Sequence, residues 1–345
     1  MNRSYIAKAG KRLTTLAVLS SMFVLAACGG GTANEDAATN GSSADNYPSK
    51  PIEYVVPYAA GGGVDLVARV VADAVSEKWG QPVSVVNKAG GGGTTGAQYA
   101  LGTNPDGYTV LANVVSNTSM MEASYASPAI KLEDQELVAR IVEDAPTFTV
   151  KSDAEWENLN EFSEWVKQNP EQLSWTTSGV TGYATYVVAE WLNELGVDIS
   201  QTRMIVTKGT AESLPMIAGG NAVLAVHPVS EVATMVNSGN LKILAIQSAE
   251  RSPHFPDVPT TTEEGFTNLS ATWWTGLSMP KGTPADIVQK WNDTLEELAA
   301  DPEFQEKLAA MKMSSSYLSK DEFNEFITQE TEYYGELADK FGLKK

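Results

Sequence analysis

From residue 47 onward the apolar positions fall into two kinds of run that alternate. Residues 52–58 (IEYVVPY) are β-branched and aromatic and predict a strand. Beyond Gly61-Gly62-Gly63, residues 65–79 carry Leu66, Val67, Val70, Val71, Ala74 and Val75 at helical spacing. The unit is strand, glycine loop, helix, and it recurs. Residues 83–86 read as a short buried strand, 89–95 (AGGGGTT) as a second glycine loop, and 96–101 as a helix. Asn104-Pro105-Asp106-Gly107 predicts a turn, and 108–115 (YTVLANVV) a third strand.

The middle of the chain has the same grammar. After a strand at 148–150, Ser152-x-x-Glu155 matches a capping box. It opens a predicted helix whose stripe of Trp156, Leu159, Phe162, Trp165 and Val166 reads as core. A strand at 174–177 leads into a small-residue loop, 178–182 (SGVTG), and a helix at 183–195. A strand at 204–206 leads through Lys208-Gly209-Thr210 into a helix ending at Ala218, with further strands at 222–226 and 241–246. Toward the end, Thr283 as N-cap with Pro284 at the first helical position opens a helix to Ala300. Ser319-x-x-Glu322 opens another, to Phe341. Such alternation predicts an α/β protein with mostly parallel sheets flanked by helices. Ligands in such sheets bind beyond the carboxyl ends of the strands, where both glycine loops fall.

The first residues follow a different pattern. Residues 1–27 hold Arg3, Lys8, Lys11 and Arg12, no acid, and an apolar run over 13–27. The run is short and broken by Thr and Ser, so it reads as a secretory signal and not a membrane span. Leu25-Ala26-Ala27-Cys28 resembles the lipobox of bacterial lipoproteins, which implies lipid modification of Cys28. Residues 28–46 lack apolar periodicity and read as a flexible tether.

Charge changes the picture of possible partners. The 345 residues include 43 acids against 24 Lys and Arg, a formal charge of −19. Without residues 1–27, and so without four of the basic residues, it becomes −23. That disfavours a nucleic-acid binder, which needs clustered positive charge. One cysteine excludes an intramolecular disulfide framework, and two histidines, His227 and His254, leave little for a metal site, so no metal or cofactor is expected. An anion can still be bound, because the first N–H groups of a helix lack partners and carry partial positive charge. Glycine lets a ligand approach that backbone closely.

Gly91, Gly93 and Gly96 spell a G-x-G-x-x-G, but it follows the second predicted strand and no acid ends a later strand at the right distance. A dinucleotide site is therefore set aside, and the lack of a GK[ST] removes a P-loop. Neither histidine accompanies a nucleophile motif, so no enzyme is predicted.

Several motifs in order carry a family resemblance. PYAAGGGVD (57–65), NKAGGGGTTG (87–96), NPDGYTVL (104–111), KGTAESLPMIAGG (208–220), LAIQSAERSPHFPDVPTTTEEGF (244–266) and WWTGLSMPKGTP (273–284) resemble the signatures of the TctC-like, or Bug, solute-binding proteins. These are extracytoplasmic receptors of tripartite tricarboxylate transporters. The resemblance implies a two-lobed, type II periplasmic-binding-protein-like fold with a ligand cleft between lobes. Lobe I would comprise 47–150 and 249–345, and lobe II 151–248. Carried onto this chain, the ligand-binding positions are Tyr58, Gly62, Gly63 and Asp65; Gly92, Gly93, Thr94 and Thr95; Ser178 and Thr181; and Lys208, Gly209 and Thr210. Asp65 has a competing reading as a helix cap, and Lys208 as a solvated lysine.

The implied function is capture of a small carboxylate by a monomeric lipoprotein, which delivers it to the large and small membrane subunits of the transporter. Its implied place is the outer face of the cytoplasmic membrane, or the periplasm of a Gram-negative cell. The alternative is a carboxylate-sensing lipoprotein serving a sensor kinase or another transporter class. The chain departs from the family on the second-lobe wall. Tyr186 stands near a usual histidine, Met204-Ile205-Val206-Thr207 precedes Lys208-Gly209 in place of His-Val-Pro-Tyr, and the loop glycine is displaced as Gly179-Val180.

Overall fold

A computed structural model describes residues 46–345. Cys28, the predicted signal segment and all but the last residue of the predicted tether lie outside the described residues. In chain order the elements are β1 (Ile52–Val56), α1 (Gly63–Trp79), β2 (Val83–Asn87), α2 (Thr94–Leu101), β3 (Thr109–Val114), α3 (Ser119–Ser124) and β4 (Gln135–Asp144). There follow β5 (Pro146–Lys151), α4 (Leu159–Gln168), β6 (Ser174–Thr177), α5 (Tyr183–Leu195), β7 (Arg203–Val206), α6 (Thr210–Ala218), β8 (Leu224–Pro228), α7 (Val229–Asn237) and β9 (Leu241–Ile246). The chain ends with β10 (Trp273–Pro280), α8 (Ala285–Ala300), α9 (Pro302–Ala310), β11 (Ser315–Leu318) and α10 (Lys320–Lys340).

The strands make two sheets, ordered β11-β4-β10-β3-β1-β2 and β7-β6-β8-β5-β9. The predicted strand–loop–helix units supply the parallel pairs: β1 with β2 and β3, and β6 with β7 and β8. The sheets are nonetheless mixed and not mostly parallel. β10 runs antiparallel between β3 and β4, and β5 runs antiparallel between β8 and β9. These strands sit where the chain changes sheet, at Ala145 and between Ile246 and Trp273, so no crossover helix dictates their direction.

Apolar residues on both faces explain why β1 and β3 lie inside the first sheet and not at its edge. Ile52, Tyr54 and Val56, with Val110, Ala112 and Val114, join the main core on one face. Val55 and Leu111 meet Ala97 and Ala100 of α2 on the other. On the second sheet Phe148, Trp175 and Trp191 enter the main core, whereas Ala225, Ile243 and Ile246 pack under Leu214 and Ile217 of α6 and Val232 of α7. Phe162 stacks on Trp191 at 5.4 Å and Trp156 lies 4.8 Å from Trp165, so the tryptophans expected to be core pack among themselves.

Three local expectations change. The capping box at Ser152 and Glu155 does not open a helix. α4 starts at Leu159, with the Asn158 side chain accepting from Glu161 N–H at 2.9 Å and Glu161 Oε2 accepting from Glu157 N–H at 2.8 Å. Asn158 caps the helix six residues later, and Glu161 reaches back past it to the N–H of Glu157. Before α8, Pro284 and not Thr283 takes the cap position, because Thr283 Oγ1 is spent on the Pro280 carbonyl at 2.8 Å. β4 and β10 form central strands that the pattern did not reveal. β10 is buried along its whole length and so has no polar alternation to read. Gly276 in β10 lies at a register shift where a Cβ would fall 2.4 Å from the Ala139 carbonyl oxygen. The box at Ser319 and Glu322 does cap α10 as expected.

Candidate functional site

The loops after β1, β3, β6, β7 and β8 meet around one cavity of about 60 Å³. One water needs roughly 10–15 Å³ on this measure, so the space suits a small organic molecule and not a nucleotide. It is bounded by both sheets' loops, at the carboxyl ends of the parallel strands.

The first wall grows out of β1. Tyr58 follows the strand, and Gly62 precedes α1 with extended backbone and no side-chain cap. The opening N–H groups of α1 are thus left for whatever stands in front of them. The Tyr58 hydroxyl donates to the Gly92 carbonyl at 3.2 Å, with the side chains of Ser116 and Ser178 against it. Burial pushes the Tyr58 phenol up to about 12, so it stays a neutral donor. Val114, Val115 and Ser116 close this wall from the end of β3.

The second wall comes from the other sheet. Thr177 and Ser178 end β6, Thr207 follows β7, and Gly209 with Thr210 opens α6. His227 ends β8 and Glu231 lies in the first turn of α7. His227 Nδ1 lies 3.1 Å from both Thr210 Oγ1 and Glu231 Oε2, and its Nε2 lies 2.8 Å from Ser213 Oγ. Thr210 Oγ1 also donates to Glu231 Oε2, while Glu231 Oε1 accepts the Gly63 N–H at 2.7 Å. Burial raises the pKa of Glu231. The bonds from His227, Thr210 and Gly63 outweigh it and hold the carboxyl below its ordinary range.

Of the expected positions, Tyr58, Gly62, Gly63, Ser178, Gly209 and Thr210 line the cavity together. Asp65 does not. Its carboxylate, 2% exposed, accepts from Gly61 N–H, from two Arg69 nitrogens and from Asn87 Nδ2, each at 2.9 Å. Burial raises its pKa, but Arg69, the Gly61 N–H and Asn87 together leave it low. Gly92, Gly93, Thr94 and Thr95 stand behind Tyr58 and outside the lining. A Cβ on Gly93, at φ +101°, would meet the Tyr58 hydroxyl at 3.0 Å, so this loop is the packing support of the first wall. Thr181 is buried near Gly92, away from the lining. Lys208 is exposed, and its N–H donates to Glu212 Oε2 at 2.8 Å.

Sequence reasoning did not find Ser116, Thr207, His227, Glu231 or Trp273 as lining residues. Ser116 and His227 sit at strand ends, and the strand-end rule that selected the glycine loops would have selected them too. Glu231 gave no sequence signal beyond an acid in a helix's first turn, a common feature of helices. Tyr186, near the family's histidine, is buried on Ser124 and not in the cavity; Tyr183 lines it instead.

The model of the tripartite tricarboxylate transporter family receptor matches residues 67–343. A curated relative, the UPF0065 protein in the gbd 5' region of Cupriavidus necator, is 32% identical over 304 residues, covering 88% of this chain and 91% of the relative. The solved periplasmic binding protein BugD is 30% identical with a TM-score of 0.81, covering 87% of this chain and all of that one. MatC of Rhodopseudomonas palustris, solved with bound malate, shares the fold at 23% identity and a TM-score of 0.78, over 84% of this chain and 99% of its own. The periplasmic-binding-protein-like architecture expected from the motifs is therefore the one the two sheets adopt, and the chain belongs to the tripartite tricarboxylate transporter receptor family of exported solute-binding proteins.

Proposed function

We propose that this chain captures a small organic carboxylate outside the cytoplasm and delivers it to the large and small membrane subunits of a tripartite tricarboxylate transporter, without chemical turnover. The cavity carries the reading. Backbone N–H groups at the starts of α1 and α6 and the hydroxyls of Tyr58, Ser116, Ser178 and Thr210 converge on about 60 Å³. These are donors without formal charge, the kind that hold a carboxylate through helix-terminus and hydroxyl contacts. They also account for how a body of charge −23 could take an anion: these donors set the field inside the cavity locally, whatever the net charge of the body. Malate in the related MatC supports an acid of a few carbons.

The same proposal assigns residues 47–150 and 249–345 to one lobe and 151–248 to the other, with the cleft between them. It places a lipid on Cys28 as the membrane anchor and treats the receptor as a monomer. Calorimetric titration with succinate, malate, adipate, glucose and putrescine tests the binding reading. Saturable binding of a carboxylate, with no change in its mass after incubation, is the expected result. Binding of the sugar or the diamine alone would overturn it. Intact mass of protein extracted from membranes tests Cys28, and an unmodified thiol would remove the anchor.

A further inference from the structure

The cavity already contains a carboxylate, and it belongs to the protein. Glu231 stands at the meeting point of three helix starts. Gly63 is the first residue of α1, Thr210 is the first of α6, and Glu231 itself lies in the first turn of α7. Gly63 N–H reaches its Oε1 at 2.7 Å, while the Thr210 hydroxyl and His227 Nδ1 reach Oε2. The side chain is 6% exposed, and a Cβ on Gly63 would fall 2.6 Å from Oε1. Gly63 lies beside the first sheet, whereas Thr210, His227 and Glu231 belong to elements of the second. The contact therefore ties one side of the cleft to the other.

Glu231 is also a partition. On its far side lies a second cavity of about 360 Å³, lined by Leu66, Leu214, Pro215, Met235 and Met313. Gly62, Gly63, Thr210, Ala211 and Glu231 border both spaces. The side chain can leave the first cavity by swinging into the second. His227 would stay behind, because its Nε2 is held by Ser213, which in turn lies 2.6 Å from Thr176 Oγ1. Two carboxylates cannot share one donor set without strong mutual repulsion.

We propose that Glu231 is a resident carboxylate that holds the ligand-free cleft together by occupying the Gly63, Thr210 and His227 donors, and that an incoming carboxylate displaces it. The displacement half rests on the carboxylate reading above; the tie across the cleft does not. Glu231 thereby sets a threshold that selects acids able to outbind an internal competitor, and its release couples capture to movement of α7.

The test has two arms on the full chain. In the ligand-free arm, exchange of the Gly63 amide is followed by NMR on [¹⁵N]glycine-labelled protein, wild type against Glu231→Ala. At least tenfold faster exchange is expected, and an unchanged rate overturns the tie. In the ligand arm, succinate, malate and adipate are titrated into wild type and Glu231→Gln, which keeps the shape and removes the charge. Affinity at least tenfold higher in the variant is expected. Equal or lower affinity overturns displacement. If neither protein binds any acid, the carboxylate reading and the displacement half fail together, while the exchange arm still decides the tie. Should Glu231→Ala not fold, Glu231→Asp, too short to reach Gly63, replaces it in the exchange arm.

Discussion

Trp274 Nε1 donates to both carboxylate oxygens of Glu330, at 2.9 and 3.1 Å, inside the first sheet's core. Ser119 Oγ is the second donor to the same group. Burial pushes Glu330 up to about 7 in spite of these bonds. Glu190 is in the same position: burial raises it to about 7, although it accepts from Ser270 and Ala271 N–H and from Tyr333. Burial also raises Asp144, to about 6. In the unfolded chain these groups lose their protons near 4, while the folded chain keeps them. Their stabilisation is complete below the unfolded values and is lost as pH rises through about 6 to 7. The melting temperature of wild type should therefore fall between pH 5 and pH 8 by more than that of the Glu190→Gln/Glu330→Gln double variant. The difference should be at least about 2 °C, since roughly 1 kcal/mol shifts a domain of about 150–250 residues by about 2–4 °C and a larger one by less. Equal slopes would show that these carboxyls do not hold their protons in the fold.

Tyr58→Phe removes one hydroxyl from the cavity and its bond to the Gly92 carbonyl. A net contribution of about 1 kcal/mol per hydrogen bond predicts an affinity loss of roughly fivefold for the bound acid. Calorimetry would read this beside a melting temperature lowered by no more than the one lost bond to Gly92 accounts for. A full loss of stability in place of lost affinity would make Tyr58 a structural strut only.

Asp65→Ala should act on folding. The carboxylate gathers Gly61, Arg69 and Asn87 around the first turn of α1. Its loss takes one acceptor from the exposed Gly61 N–H, from Arg69 and from the Asn87 amide, which keeps the Tyr58 carbonyl, a cost of about 1 kcal/mol per lost bond. Urea denaturation should show a lower midpoint at unchanged slope. Ligand affinity should move only as far as the loop shifts, since the side chain lies outside the cavity lining.

Two glycine substitutions should have opposite signs. A Cβ on Gly96 would lie 2.7 Å from both the Lys88 carbonyl oxygen and Pro57 Cα, backbone atoms that cannot give way cheaply. Gly96→Ala should cost about 1–3 kcal/mol and disturb the Tyr58 loop. Gly335, in the middle of α10, has open space within 4 Å of where a methyl group would stand, and no left-handed backbone. Gly335→Ala should stabilise by about 0.5–1 kcal/mol through helix propensity alone. Thermal melts of both variants decide the pair.

Much of the fold was legible because it is repeated locally. The spacing of Val67, Val71 and Val75 fixes which face of α1 is buried, and β1 and β3 send alternate residues into two different cores. Ser319 with Glu322 announces its helix for a local reason, the reciprocal satisfaction of backbone donors. Ser152 with Glu155 shows the limit of that signal. Any short polar segment can satisfy it, and Asn158 caps the helix instead, beside a hydrophobic stripe that is in register with the core. The antiparallel strands β4, β5 and β10 were less legible, because their directions come from where the chain changes sheet and not from their own residues.

For the site, the sequence by itself determined the uncapped helix starts and the family. Uncapped helix starts after glycines, next to strand ends, are local properties that Gly62, Gly63, Gly209 and Thr210 display in order along the chain. Only the tertiary structure decided which of those residues share a space. Asp65 was drawn inward by Arg69 and Asn87, and the second glycine loop was set behind Tyr58. Glu231, 168 residues from Gly63, was brought onto its N–H. A hydrogen bond between residues so far apart depends on how two sheets are packed, and no periodicity or spacing along one strand or helix carries that information.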